Sequence, residues 1–231
     1  MFVLIDYDNI NKAVSRKGIH YVISKVVSRI DPADVSSGNR ISARLYGGWY
    51  ENSNFTRLAQ ALSADIMSNF PTVLTLSDNK TSVVVNCELA FSLLADPTNH
   101  LVHTYRPRAI PKGLKVIHPH LLGCADPACP LNVVYDFINN DACTLCGKIK
   151  PIDLFYRGAQ KLVDTMLTSD LIYSVNQSST LCIVSSDDDF WPGIMTSLSL
   201  GKKVVHLHTS NRQTPGFYIT NAGKNYIQKQ L

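Results

Sequence analysis

The fold is decided by residues 2–9, FVLIDYDN, in which four consecutive apolar residues run directly into an acidic turn. An apolar run without polar alternation is typical of a strand covered on both faces, as in a parallel sheet. Residues 180–189, TLCIVSSDDD, repeat this pattern later in the chain. The two stretches predict two buried strands that both carry carboxylates at their carboxyl ends.

Helical and strand patterns alternate along most of the remaining chain. The apolar spacing predicts helices over residues 19–30, 54–68, 160–173 and 190–200, and strands over residues 40–46 and 203–207. Residues 83–95 fit either element. Strands that alternate with helices form right-handed βαβ units around a parallel sheet. We therefore predict an α/β protein with a parallel sheet flanked by helices.

The composition limits the class of protein. With 231 residues, 45% of them hydrophobic, the chain can form one sizeable core. The net charge of +4 allows a polyanionic partner without requiring one. The apolar start is too short for a secretion signal, and no segment approaches the roughly 20 apolar residues of a membrane span. We expect a cytoplasmic protein without membrane attachment, whose six cysteines serve metal binding or the core.

Residues 96–150 break the alternation, because prolines recur there and four cysteines are gathered. We interpret this segment as an insertion into a domain formed by residues 1–95 and 151–231. Two close pairs, Cys124 with Cys129 and Cys143 with Cys146, have the spacing of zinc knuckles. They predict a closed, structural zinc site with four cysteine ligands, for which His118 and His120 are substitutes. Of the other two cysteines, Cys182 is expected in the core, and Cys87 is undetermined but more often core than ligand.

The acidic clusters predict a metal site. Residues two apart on an extended chain point to the same side, so Asp6 can converge with Asp8, and Asp187 with Asp189. The carboxyl ends of strands in an open parallel sheet form its ligand crevice. Clustered carboxylates repel one another, and Mg²⁺ or Mn²⁺ removes that conflict. The alternative is that these aspartates only form turns or cap helices.

Three ordered motifs resemble the NYN-domain family of PIN-like nucleases. They are the opening segment of residues 2–10, the segment Lys161 to Asp164 that precedes Asp170, and residues 183–190, IVSSDDDF. The resemblance implies a Rossmann-like fold and metal-dependent cleavage of RNA or DNA. It implies four metal-site and catalytic residues, namely Asp6, Asp164, Asp187 and Asp189. Supporting or substrate-contacting roles fall to Asp8, Asn9, Ser185 and Asp170. Ser186 stands where the family often has glycine.

Basic side chains near the insertion suggest a path for a nucleic acid, because they are interleaved with aromatic residues. The candidates are Arg44, Arg106, Arg108, Lys112, Lys148, Lys150 and Arg157. Trp49 and Tyr50 are further candidates, although Trp49 could equally pack under a loop. Ordinary solvated charge is the alternative for the basic residues. His206 and His208 are expected to be structural or exposed rather than catalytic.

These observations favour a Mg²⁺- or Mn²⁺-dependent nuclease acting on RNA or single-stranded DNA, with RNA preferred. One alternative is a non-catalytic module of the same fold that binds nucleic acid or protein. Another is a phosphatase of a different doubly wound family, since Asp6-x-Asp8 also suits an aspartyl nucleophile. Those enzymes usually carry threonine or valine directly after the second aspartate, where this chain has Asn9.

Overall fold

A computed structural model describes residues 1–35, 38–109, 116–160, 162–211 and 223–231, with side chains left undescribed at 106–109 and 156–160. The chain divides into two compact units. One, the sheet unit, comprises Met1–Tyr105 and Gln160–Leu231, and the other, the insertion unit, comprises Arg106–Ala159. The insertion predicted from sequence was residues 96–150, about ten residues earlier at each end.

The strands are β1 (Phe2–Asp6), β2 (Arg40–Tyr46), β3 (Tyr50–Glu51), β4 (Asn54–Phe55), β5 (Thr72–Thr75), β6 (Ser82–Leu89), β7 (Tyr105–Ala109), β8 (Tyr156–Gln160), β9 (Thr180–Val184), β10 (Lys203–His208) and β11 (Tyr226–Gln230). The α-helices are α1 (Lys12–Ser15), α2 (Ile19–Val27), α3 (Arg57–Asn69), α4 (Pro130–Asn139), α5 (Pro151–Leu154), α6 (Val163–Ser174) and α7 (Trp191–Ser199). Short 3₁₀ turns lie at Tyr7–Asn9, Pro32–Asp34, Pro119–Leu122, Asp188–Phe190 and Gly223–Asn225.

The central sheet has seven strands in the order β11-β10-β9-β1-β2-β6-β5. Neighbouring strands are parallel except β5, which runs antiparallel to β6. The predicted α/β class with a mostly parallel sheet is therefore confirmed, and the sheet is compatible with a Rossmann-like fold. The ambiguous residues 83–95 form a strand over most of their first half, β6.

Helices cover both faces of this sheet. Alternate residues of β1 divide between two cores: Val3 and Ile5 pack with the buried faces of α2 and α3, whereas Leu4 packs with α6 and α7. The connections from β1 to β2 and from β9 to β10 thus lie on opposite faces. The sheet reverses its winding where β1 meets β9, and such a switch point opens a crevice at the carboxyl ends of the strands.

Local chemistry sets the helix boundaries. α3 begins at Arg57, later than the predicted residue 54, because the Thr56 side chain accepts the Ala59 N–H at 3.2 Å and caps the helix. Gly201 follows α7 with φ +75°, as the sequence predicted for a residue that ends a helix.

The insertion unit contains strands β7 and β8 side by side, helix α4 and the short α5. Despite its prolines, the unit contains a helix of ten residues, α4. Pro130 occupies the first turn of α4, where its missing N–H costs nothing. Within the described ranges, no helix of the chain is both long enough and apolar enough to cross a membrane.

Candidate functional site

The predicted acidic segments meet at the switch point of the sheet. Ile5 of β1 is in register with Val184 of β9, so the next residues, Asp6 and Ser185, lie level at the carboxyl edge. Asp6 is also level with Tyr46, the last residue of β2. Asp6 is only 4% exposed, which places a carboxylate almost out of water at the floor of the crevice.

Hydrogen bonds hold this carboxylate in place. The Ser185 hydroxyl donates to Asp6 Oδ2 at 2.9 Å, and the Asn9 side chain also bonds to Asp6. Ser185 Oγ in turn accepts the Asp187 N–H at 3.0 Å. Asp187 Oδ1 accepts the Asp189 N–H at 3.0 Å and begins the short 3₁₀ turn after β9. The two acidic strand ends are therefore joined through one serine.

Burial and the charges of neighbouring carboxylates raise the pKa of Asp6 and of Asp164. Burial raises the pKa of Asp6 to about 6, and the charges of Asp8 and Asp164 add to the effect, against the bonds from Ser185 and Asn9. The pKa of Asp164, which lies in the first turn of α6, is raised by burial and then by the charges of Asp187 and Asp189. The structure thus links all five aspartates in one chain of electrostatic interactions.

Gly47 and Gly48, which follow β2, close the crevice beside Asp8. The Gly48 N–H donates to Asp8 Oδ2 at 3.3 Å. A Cβ atom on Gly47 would lie 2.8 Å from Asp8 Oδ2 and 2.7 Å from the Trp49 ring, so only glycine fits without movement. The strand predicted over residues 40–46 ends just before this pair, to which the sequence pattern alone assigned no role. Two adjacent glycines at a predicted carboxyl edge were the signal that could have found it.

The loop after β10 supplies a residue that sequence reasoning missed. The Thr209 hydroxyl donates to Asn9 Oδ1 at 3.0 Å and lies 3.2 Å from Ser186 Oγ. Ser186 Oγ also accepts the Ser210 N–H at 2.9 Å. The serine that replaces the expected glycine therefore ties the loops after β9 and β10 together. Nothing in the local pattern of residues 208–210 pairs them with Asn9, since the contact depends on strand order.

His206 contacts Ser185, the first residue of the loop after β9. It is 1% exposed, its Nε2 lies 3.0 Å from the Ser185 carbonyl oxygen, and its Nδ1 lies 2.9 Å from the Tyr226 hydroxyl. Because a carbonyl oxygen can only accept a hydrogen bond, His206 Nε2 is the donor to Ser185. His208 is also buried, with its ring 4.0 Å from that of His206. The structure therefore places both histidines in the interior, where they are packing groups beside the acidic crevice.

Two sequence-predicted residues lie elsewhere. Asp170 is 1% exposed, and its Oδ2 accepts the Tyr46 hydroxyl at 2.6 Å while lying 3.3 Å from Arg44 Nε. Its Oδ1 accepts the Leu94 N–H at 2.7 Å. Arg44 is 6% exposed and also bonds Glu88 and a backbone carbonyl. Asp170 and Arg44 are both held in this internal network, which leaves little of either side chain exposed for contact with a substrate.

The aromatic candidates after β2 are also interior residues. Trp49 is 0% exposed, and its indole N–H donates to the Leu45 carbonyl at 3.0 Å. Tyr50 is buried in a cluster of rings that includes Phe55 and Phe91. Trp49 therefore packs under the loop, which was the alternative interpretation of this residue.

The proposed nucleic-acid contacts of the insertion are only partly visible. Lys148 and Lys150 are exposed, and the Lys150 N–H donates to Asp153. Lys112 lies outside the described residues, as do the side chains of Arg106, Arg108 and Arg157. The four cysteines of the predicted zinc site are all free thiols in the insertion unit.

The donor set at the crevice suits a hard divalent cation. Asp6, Asp164, Asp187 and Asp189 offer carboxylate oxygens, the ligands that Mg²⁺ and Mn²⁺ prefer. The raised pKa values of Asp6 and Asp164 reflect their burial first and the neighbouring negative charges second, and a bound cation would stabilise both carboxylates in their charged form. Among the described residues, no group of three or more histidine, cysteine, aspartate or glutamate side chains is gathered as a ligand shell. These carboxylates interact at a distance, and binding an ion would require them to move closer together.

Comparisons with family models, with curated proteins and with solved structures found no match to this chain.

Proposed function

We propose that this protein is a metal-dependent nuclease of the NYN type that hydrolyses phosphodiester bonds in RNA or single-stranded DNA, with RNA preferred. The observation that carries the proposal is that Ser185 joins Asp6 to Asp187 by hydrogen bonds, and that the charges of Asp8, Asp164, Asp187 and Asp189 act on one another's surroundings near the carboxyl edge of β1 and β9. These residues come from three distant segments of the chain. Turn formation or helix capping explains any one of them, but gives no reason for all five to share one crevice.

The energetics of the crevice favour a cation. Burying a carboxylate is costly, and neighbouring negative charges increase the cost. The charged groups that raise the pKa of Asp6 and of Asp164 are all neighbouring carboxylates. Holding these carboxylates near one another is therefore unfavourable unless a bound ligand neutralises their charge. Mg²⁺ or Mn²⁺ would do so and, when bound, supplies polarisation of the phosphate and activation of a water molecule.

The protein's own groups would orient the reactants. Ser185 and Asn9 fix the direction of the Asp6 carboxylate, and Thr209 fixes Asn9. Asp164 stands on the first turn of α6 and is exposed, so it can reach a ligand from the solvent side. A deprotonated carboxylate in the crevice can also accept a proton from an attacking water molecule. In-line attack at a bound phosphodiester needs this fixed geometry more than it needs strong substrate binding.

Cleavage assays test the proposal. Labelled single-stranded RNA and DNA are incubated with the protein in Mn²⁺, in Mg²⁺ and in chelator, and an aryl phosphate serves as a control for phosphatase activity. We expect metal-dependent cleavage of the oligonucleotides that falls at least about 100-fold in Asp6→Asn and Asp187→Asn. Asp141→Asn is the matched control, since Asp141 is exposed and its φ of +53° suits asparagine. Equal activity in all three variants, or in chelator, contradicts the proposal.

A binding module without catalysis is the second candidate. The observation that favours it is that the described residues contain no gathered group of three metal-binding side chains. Such a module would bind the same oligonucleotides with unchanged affinity in chelator and would not cleave them. Measuring binding by fluorescence anisotropy in the same reactions therefore separates the two candidates. Turnover of the aryl phosphate alone would instead restore the phosphatase alternative.

A further inference from the structure

The insertion unit has almost no apolar interior. Among its described side chains only Pro119 and Pro151 are buried. Apolar side chains stand in solvent instead, including Leu121, Leu122, Val133 and Leu145, the last of them 97% exposed. A folded segment of this size needs a source of stability other than a hydrophobic core, such as a disulfide or a metal ion. Its four cysteines are free, so disulfides do not supply it.

Residues 143–149 already form a tight loop around one thiol. The Cys143 N–H donates to the Ile149 carbonyl at 2.8 Å, and the Gly147 N–H donates to the Cys143 carbonyl at 2.8 Å. Gly147 turns the chain with φ +63°, a conformation that glycine adopts at little cost. The backbone N–H groups of Ile149 and Lys148 bond to Cys146, as does the Cys143 thiol. These contacts hold the two sulfur atoms of the pair close together in the loop.

The other two cysteines lie at chain reversals in the same unit. Cys124 follows Gly123, which has φ +94° at the end of the Pro119–Leu122 turn. Cys129 directly precedes α4, a helix of ten residues, and its side chain makes no capping hydrogen bond to that helix. Both pairs thus sit where short turns present sulfur atoms, although within the described ranges no three of these side chains are gathered into one group.

We propose that the insertion unit binds one zinc ion through Cys124, Cys129, Cys143 and Cys146, and that this ion takes the place of its missing core. Thiolates are soft ligands that select zinc over Mg²⁺, and four of them complete its tetrahedral shell. The Cys143–Cys146 loop receives the ion first, because its backbone is already turned around the sulfur. The pair Cys124 and Cys129 then closes on it, so that folding of the unit is coupled to binding. This inference does not depend on the proposed nuclease activity.

Metal analysis of the full chain tests it. Protein purified under reducing conditions without chelator is expected to contain about one zinc ion per chain. Cobalt(II) that replaces the zinc is expected to give the visible d–d absorption and sulfur charge-transfer bands of a tetrahedral four-thiolate site. Limited proteolysis supplies a second readout, because removal of the ion should open residues 106–159 to cleavage much faster than the sheet unit.

Single substitutions define the ligands. Cys124→Ser, Cys129→Ser, Cys143→Ser and Cys146→Ser are each expected to abolish stoichiometric zinc. Cys87→Ser is the matched control, because burial raises the pKa of the Cys87 thiol to about 12 and Cys87 lies in β6 of the sheet unit. Protein without zinc, cobalt spectra without sulfur bands, or stoichiometric zinc in Cys124→Ser and Cys129→Ser would each overturn the proposal. The cobalt spectrum of the unsubstituted chain decides the matter even if a variant fails to fold.

Discussion

Replacing Asp6 with asparagine should stabilise the metal-free protein at neutral pH. Burial and neighbouring charge raise the pKa of Asp6 from 3.8 to about 6 in the folded chain. A difference of about 2 in pKa corresponds to about 3 kcal/mol of penalty for the charged form. The side chain is 4% exposed, so solvent screens little of this. Asparagine keeps an acceptor for Ser185 but fits the Asn9 bond less well, which leaves an expected gain of about 1–3 kcal/mol.

The pH dependence of this gain identifies its cause. A carboxyl whose pKa is raised on folding costs no stability below pH 3.8, where both states are protonated. The cost develops as pH rises and is complete above about 6, where both states are charged. Asp6→Asn should therefore be the more stable protein at pH 7–8 in chelator, and its advantage should shrink as pH falls towards 4.

Urea unfolding followed by circular dichroism at several pH values measures this directly. Mn²⁺ at 100 times its Kd should stabilise the unsubstituted protein by about 2.7 kcal/mol and Asp6→Asn by less. Asp141→Asn serves as the control and should match the unsubstituted protein throughout. A variant that is less stable than the parent at pH 8, or equally shifted at pH 4 and pH 8, would falsify the claim that Asp6 is held in an unfavourable charged state.

Three further substitutions test other contacts. Gly47→Ala should cost about 1–3 kcal/mol in urea unfolding because its Cβ meets Asp8 and Trp49, whereas Gly38→Ala, with open space around its Cβ, should be neutral. Asp170→Ala should cost about 3 kcal/mol by leaving the buried Arg44 short of a partner, and the exposed Glu88→Gln should cost under about 1 kcal/mol. Thr209→Val should lower kcat about tenfold by releasing Asn9, with Thr209→Ser retaining activity, and an unchanged kcat would remove Thr209 from the site.

The sequence predicted the elements of the sheet whose residues are buried on both faces. β2 was predicted with the bounds that it has, and β9 was predicted within residues 180–189, because residues 181–184 form a continuous apolar run. β5 and β11 were missed. Both lie at sheet edges and mix polar with apolar residues, so neither carries the signature of a buried strand. β5 also makes the sheet mixed, which a prediction from alternating strands and helices had no means to detect.

The candidate site likewise contains some residues that the sequence could predict and others that it could not. Asp6, Asp8, Asp187 and Asp189 could be named from the sequence because they follow apolar strands, and the crevice rule for parallel sheets applies to the carboxyl ends of strands. Asp164 was named through the family resemblance. Arg44 and Asp170 could not be placed, since charged residues in a strand and a helix are usually solvated. Their burial depends on tertiary pairing across β2, β6 and α6. Thr209 was missed because its partner Asn9 lies 200 residues away in the chain.

The two proposed metal sites differ in ligand chemistry, and this makes them experimentally separable. The crevice offers carboxylate oxygens, which favour Mg²⁺ and Mn²⁺ and exchange them readily, whereas the insertion offers thiolates, which hold zinc tightly. A brief treatment with chelator should therefore remove the ion of the crevice and leave zinc in place. If cleavage then returns with Mn²⁺ alone, the zinc is structural and the aspartates carry the reaction. If it returns only with zinc, the catalytic assignment of Asp6 and Asp187 loses its chemical basis, because their oxygen ligands give no reason to require a soft-ligand metal.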